Sequence, residues 1–310
     1  MARQSQIRWQ RGDYVKLGRA VSEFNKKVQR LEANEQSLGL PELIDYKDLK
    51  SQITTRKELN RQIASLKRFQ EEGIEKLTEE EIKKNIEFRI DDFGMCTKDR
   101  VLRLKDFLSF GISEILSTLL DENIIDCVVM VCEGCGTVLV TESELAQGVG
   151  GRVSGLVETS PIPELIGQFL PNHVLDEENA SIDQVEGFRL AIENGYKNIA
   201  VTLCYPEDGV ILRELEREYD DVNVYLFGVH STGLSEEEAE LVFDLYDVVT
   251  GCASKPIREV GAERALCSVG TSIPIFAASE KGKEFVKLRL DKIGGPKKKT
   301  GNSRHPEPLI

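Results

Sequence analysis

No run in this 310-residue chain approaches the roughly 18 consecutive apolar residues of a membrane-spanning helix. A membrane-embedded protein is therefore not expected. Residues Met1 to Gln10 are polar and lack the apolar core of a secretory leader. A disulfide-type cysteine pattern is also missing. The seven cysteines are odd in number and scattered, mostly inside apolar runs. That pattern argues against the disulfide framework of a small secreted domain and fits reduced thiols in a cytoplasmic protein. The chain has no second C-x-x-C, no Walker phosphate-binding sequence and no complete dinucleotide-binding glycine spacing. Nothing repeats at a fixed period.

What is present is ordinary for a globular protein. The hydrophobic set makes up 40% and charged residues 30%, enough apolar material to bury a real core. The net charge of −13 is unevenly placed. Residues 1–70 carry 15 basic and 8 acidic residues, which leaves 25 basic and 45 acidic in the remainder. So acidic a main domain is not expected to bind nucleic acid nonspecifically.

Residues 1–70 read as a helical N-terminal segment. Tyr14, Leu17, Val21, Phe24, Val28 and Leu31 recur at helical spacing, as do Leu59, Ile63, Leu66 and Phe69 after the break at Gly39 and Pro41. Two such helices bury little area alone, so a protein partner, contacted by these helices or by the acidic surface, is one expectation. Residues 71–85 form a charged helical junction, with Thr78 and Glu81 spaced as a capping box. Residues 86–293 read as one α/β domain: a mainly parallel sheet flanked by helices. A long helix is expected from Lys98 through Leu120. Strands are expected at Cys127–Cys132, Ile199–Cys204, Val224–Val229, Val248–Cys252 and Ile273–Ala277, with helices at Asp183–Asn194, Gly209–Tyr219, Glu236–Tyr246, Ile257–Ala262 and Glu280–Ile293. Apolar runs without alternation, separated by amphipathic helices, are what a sheet covered on both faces requires. The tail, 294–310, is basic and rich in Gly and Pro, and reads as disordered.

In an open α/β sheet ligands bind beyond the carboxyl ends of the strands, so residues where an apolar run stops are the informative ones. Cys132 and Cys135 form a C-x-x-C able to share a metal or act as a dithiol, with Cys252 as a further metal-ligand candidate. A tight structural turn is the alternative. The stretch Gln147 to Gly155 reads as a glycine-rich loop. Backbone N–H groups around Gly148, Gly150, Gly151 and Ser154 can approach an anion closely, and Arg152 can grip carboxylate or phosphate. His230 ends another apolar run, beside Ser231, Thr232 and Gly233. The histidine is a candidate acid–base group and Thr232 a candidate ligand contact. Lys255 follows Cys252 and suits anion binding or, if desolvated, nucleophilic chemistry. Each of these also has an ordinary structural explanation. Cys127, Cys204 and Cys267 read as buried, inert thiols.

Several of these stretches carry a resemblance. Asn85 to Thr97, Gly150 to Pro163, Val229 to Gly233 and Cys252 to Lys255 are similar to methanogenesis marker protein 8, over about residues 75–293. The resemblance implies an archaeal, methanogenesis-linked protein and supplies no assigned catalytic residue. It makes an anionic methanogenic cofactor or metabolite, bearing phosphate, carboxylate or sulfonate, the first ligand class to consider. A metal or iron–sulfur cluster ranks lower, because the family often lacks cysteine at the position of Cys135. The family's N-terminal section differs and carries a cysteine motif absent here. Residues 1–70 instead resemble small helical phage and prophage proteins, through Arg11 to Tyr14, Ile53 to Lys57 and Ser65 to Phe69. Three readings follow: an anion-binding protein with or without turnover, a non-catalytic assembly or maturation factor, and a metal or iron–sulfur protein.

Overall fold

The computed structural model describes residues 90–91, 94–105, 110–151, 158–295 and 309. The expectations for residues 1–70, 71–85, most of the tail, and the candidates Arg152 and Ser154 lie outside the described residues. From residue 110 on, the described residues form eight helices and seven strands in the order α1 (Ile112–Asp121), β1 (Cys127–Cys132), β2 (Gly136–Val140), α2 (Ser143–Gly150), α3 (Pro163–Ile166), α4 (Gln184–Glu193), β3 (Asn198–Leu203), α5 (Pro206–Glu216), β4 (Asn223–Gly228), α6 (Glu236–Leu245), β5 (Val248–Thr250), α7 (Lys255–Arg264), β6 (Cys267–Val269), β7 (Ile275–Ala277) and α8 (Glu280–Lys292). The α/β class read from the sequence holds.

The strands form one seven-stranded sheet in the order β2-β1-β3-β4-β5-β7-β6. Its centre, β1-β3-β4-β5, is parallel. Both margins are antiparallel, so the sheet is mixed. Successive side chains of a strand point to opposite faces, and here both faces are apolar. Val128, Met130, Ala200, Phe227 and Val248 pack on one side with residues of α1, α2 and α8. Cys127, Val129, Ile199, Val201, Leu226 and Val249 pack on the other with residues of α4, α5, α6 and α7. This double burial is why the strands read as continuous apolar runs.

Local chemistry sets the helix starts. Ser235 and Glu238 form a reciprocal capping box on α6. Asp183 accepts from Val185 and Glu186 N–H to start α4. Ser279 caps α8, and Pro206 opens α5. At the open end of the sheet β6 is only three residues long, which limits pairing with other chains. The β2 margin is covered instead. Leu139 N–H donates to His173 O, Leu175 N–H to Thr137 O, and Thr137 N–H to Ser181 O. Among the described residues no helix is long and apolar enough to cross a membrane.

Two expectations are corrected. The long helix from Lys98 does not form: residues 100–104 are irregular and the helix starts at Ile112. Arg100 and Leu102 are buried, and Leu104 N–H donates to Glu144 O. The apolar positions there serve contacts with α2 rather than one face of a helix. The glycine-rich stretch is not a loop from Gln147, because Ser143–Gly150 is helical. A Cβ on Gly148 would lie 1.8 Å from Leu102 O, and one on Gly150 would lie 2.9 Å from Ser113 Cβ. These glycines let neighbouring segments approach α2.

Asp247 joins elements on both faces. Its Oδ2 accepts from Leu226 N–H and Arg213 Nη2, both at 2.9 Å, and its Oδ1 accepts from Ser279 Oγ at 2.6 Å. Asp247→Ala leaves the buried Leu226 N–H without its carboxylate and takes one partner from half-buried Arg213, which keeps Leu245 O, and is expected to cost about 1–3 kcal/mol in urea unfolding.

A pH dependence follows from His173, which is buried and within 3.1 Å of Tyr196 Oη. Burial holds its imidazole below the ordinary histidine value. The unfolded ring binds a proton near pH ~6.5, so stability from the neutral ring is present above that pH and lost as pH falls toward the folded value. Urea unfolding between about pH 7 and 5 should show stability declining, and declining less steeply in His173→Gln.

Candidate functional site

Because β1, β3, β4 and β5 run parallel, their carboxyl ends share one edge of the sheet. There the chain makes two clusters.

The first lies beyond β4 and β5. His230 and Cys252 adopt φ of +53° and +40°, in the left-handed region that non-glycine residues rarely enter. Such strain persists only where surrounding contacts impose it, and those contacts are visible. Ser231 Oγ donates to Thr250 O at 2.7 Å, and Ala253 N–H donates to Thr232 Oγ1 at 3.2 Å, tying one loop to the other. Arg258 donates through Nε and Nη2 to Cys252 O, and through Nη2 to Ser272 O. Burial pushes the Arg258 guanidinium below its ordinary value, though it stays charged at neutral pH. This arginine therefore clamps carbonyls and fixes the Cys252 turn. Ser254, fully buried, caps α7 by accepting from Ile257 N–H. The first turn of α7 carries no carboxylate. Lys255 stands exposed there, while His230 and Cys252 are half-buried. The structure thus brings His230, Thr232, Cys252 and Lys255 onto adjoining strand ends.

The second cluster lies beyond β1. Cys132 and Cys135 flank a tight turn in which Cys135 N–H donates to Cys132 O at 3.1 Å. Gly134 and Gly136 adopt φ of +81° and +74°. A Cβ on Gly136 would meet Ala180 O at 2.3 Å, so that close approach requires glycine. Both thiols are fully buried and unbridged. Their mutual hydrogen bond, followed by burial, pushes Cys132 well above the ordinary thiol range, which suppresses the nucleophilic and metal-binding thiolate. Among the described residues no three His, Cys, Asp or Glu side chains are grouped to hold a metal ion. Cys252 does not complete the C-x-x-C. With β3 and β4 in between, three strand spacings of about 4.8 Å put it roughly 14 Å away.

Between the two thiols sits a residue that the sequence analysis did not single out. Glu133 is fully buried and pairs with Arg100, Nε to Oε1 at 2.6 Å, both side chains being 0% exposed. Arg100 Nη2 also donates to Gly148 O at 2.7 Å and Gly151 O at 3.0 Å. These carbonyls close the negative end of α2, where a cation is favoured. The glycine-rich stretch therefore uses carbonyl oxygens to hold an internal arginine. The contacts seen at Gly148 and Gly151 are thus carbonyl acceptors on Arg100, whereas the anion-binding expectation for Gly148, Gly150 and Gly151 concerned their N–H groups. The signal for Glu133 was legible in principle: a charge that directly ends an apolar strand needs an internal partner. Nothing in the periodicity around Arg100 named it as that partner.

The four sequence-selected stretches accordingly form two pairs. His230 joins Cys252, and Cys132 joins Gly148 through Arg100 and Glu133. Arg100→Ala or Glu133→Ala strands a buried charge and is expected to cost about 3–5 kcal/mol in urea unfolding, whereas Arg100→Met combined with Glu133→Leu recovers much of that loss. Thiol labelling of the native protein should modify half-buried Cys252, and reach Cys127, Cys132 and Cys135 only on unfolding. Rapid native labelling of Cys132 would contradict the burial described.

The chain is 42% identical over 246 residues to an uncharacterised protein of Methanocaldococcus jannaschii, an alignment covering 77% of this chain and 86% of the relative. The sequence model of DUF2099, described as uncharacterised proteins conserved in archaea, matches residues 64–291. With that match spanning most of the chain, the protein belongs to the DUF2099 family.

Proposed function

We propose that the protein binds an anionic cofactor or metabolite of methanogenic archaea at the loops following β4 and β5. The methanogenesis link rests on the resemblance to methanogenesis marker protein 8 and on the methanogen relative. The site rests on the paired left-handed residues His230 and Cys252, fixed on adjoining strand ends by Ser231, Thr232 and Arg258.

Lys255 supplies the positive charge, and the N-terminal end of α7 adds its partial charge in the same place. Thr232 and Ser254 are engaged in holding the loop and cap, so their contribution is to shape the rim. His230 and Cys252 border this rim and provide an imidazole and a thiol beside a bound anion. A strongly acidic protein repels free anions at long range, so a local cationic rim confers selectivity for a ligand with further contacts.

The test is thermal unfolding of the full chain with a panel of phosphate-, carboxylate- and sulfonate-bearing metabolites. A true ligand raises the Tm in a concentration-dependent way. Lys255→Ala should weaken that ligand roughly tenfold or more, the size of one lost charge-assisted hydrogen bond. A panel that leaves the Tm unchanged, or an unaltered shift in Lys255→Ala, removes the proposal.

A further inference from the structure

The cluster beyond β1 contains polar groups that the fold leaves unmatched. Glu133 is 0% exposed and Gln147 1% exposed. Glu133 Oε2 and both amide atoms of Gln147, Oε1 and Nε2, have no hydrogen-bond partner among the described residues. Buried polar atoms are nearly always paired, and each exception calls for an explanation. Arg100 links the two residues' neighbourhoods. Arg100 holds Glu133 through Nε and, through Nη2, the carbonyl of Gly148, which directly follows Gln147.

Their place in the fold also points to a ligand. The chain leaves β1 by way of β2 toward the layer containing α2, and leaves β3 toward the layer containing α5. Adjacent strand ends that feed opposite layers mark where α/β sheets open a crevice. The β1–β3 pairing ends at Val129 and Val201. Beyond it the Gln184 side chain bridges the strands, donating to Thr202 O at 2.7 Å and accepting from Thr137 Oγ1 at 2.9 Å.

We infer that the Arg100–Glu133–Gln147 cluster is a second ligand site, for a neutral planar group presenting adjacent N–H donors and a carbonyl acceptor. The hydrogen-bond inventory dictates this class. Glu133 Oε2 accepts only, so it requires an N–H or O–H. The Gln147 amide requires one donor and one acceptor. An anion is disfavoured, because the Arg100 charge is already matched by Glu133 and two carbonyls, leaving a carboxylate oxygen to face the newcomer. The lactam–amidine edge of a heterocycle carries donor, donor and acceptor in sequence. This site is separate from the anion-binding proposal, since β3 lies between β1 and the β4–β5 pair that carries it.

Isocytosine, whose amino, ring N–H and carbonyl groups form such an edge, is the probe, with acetate as control. The full chain should gain Tm with rising isocytosine and gain nothing from acetate. Gln147→Met should abolish the gain and melt no lower than the ligand-free wild type, because it removes a buried amide that had no partner. Lys255→Ala should leave the isocytosine shift intact, so this result and that of the anion site are read separately. Absence of a shift in the wild type overturns the inference. So does an equal shift in Gln147→Met, or a lower melting temperature of that variant, which would mean that internal water already satisfies the amide.

Discussion

The buried ion pair of Arg100 and Glu133 ties together the segments of the first half of the domain. Glu133 ends a strand that is otherwise apolar, and the turn that carries it is packed on every side. A carboxylate in that position is tolerated only with an opposite charge in contact and its remaining acceptors occupied. Arg100 meets part of that need, and its own needs decide more of the structure. Its remaining donors call for carbonyls, which the glycine-rich end of α2 supplies. Gly148 must lack a side chain because the segment bearing Leu102 lies directly against it. One internal charge thus sets the path of residues 100–104, the end of α2 and the form of the β1–β2 turn.

The parallel strands impose a complementary constraint. Covered on both faces, β1, β3, β4 and β5 leave only their ends free of packing, and the proposed sites lie at the carboxyl edge. That edge has two characters. Beyond β4 and β5 it carries a lysine, a histidine and a thiol held by strained turns. Beyond β1 it is rich in acceptors and held by a buried pair. The proposed anion site and the inferred neutral-edge site follow from that difference in charge. Asp247 secures the β4–β5 side in the way Arg100 secures the β1 side, by placing a charged group where backbone and side-chain donors converge.

Much of the fold was legible because its signals are local. The strand at Cys127–Cys132 was read to the residue. Those at β3, β4, β5 and β7, and helices α4 to α8, were placed within a few residues. Alternation was absent where both faces are buried, and caps such as Asp183, Ser235 and Ser279 marked helix starts. The misses share one cause. The run Gly136–Val140 pairs antiparallel with β1 across a turn, and its glycine and cysteine neighbours read as a motif. The stretch after Glu142 looked like a loop because glycine is a poor helix former, yet packing against Leu102 and Ser113 demands glycine there. The helix expected from Lys98 failed because Arg100 had a partner 33 residues away.

By itself the sequence determined the α/β class and the central strands, since burial periodicity and capping are written in neighbouring residues. Only the tertiary structure decided how the strand ends pair, that His230 adjoins Cys252 while Cys132 faces an internal charge, and that the carbonyls of Gly148 and Gly151 hold an arginine. Those outcomes depend on contacts between residues far apart in the chain, such as Arg100 with Glu133 and Ser231 with Thr250, and no local pattern encodes which distant charge or carbonyl a buried group will meet.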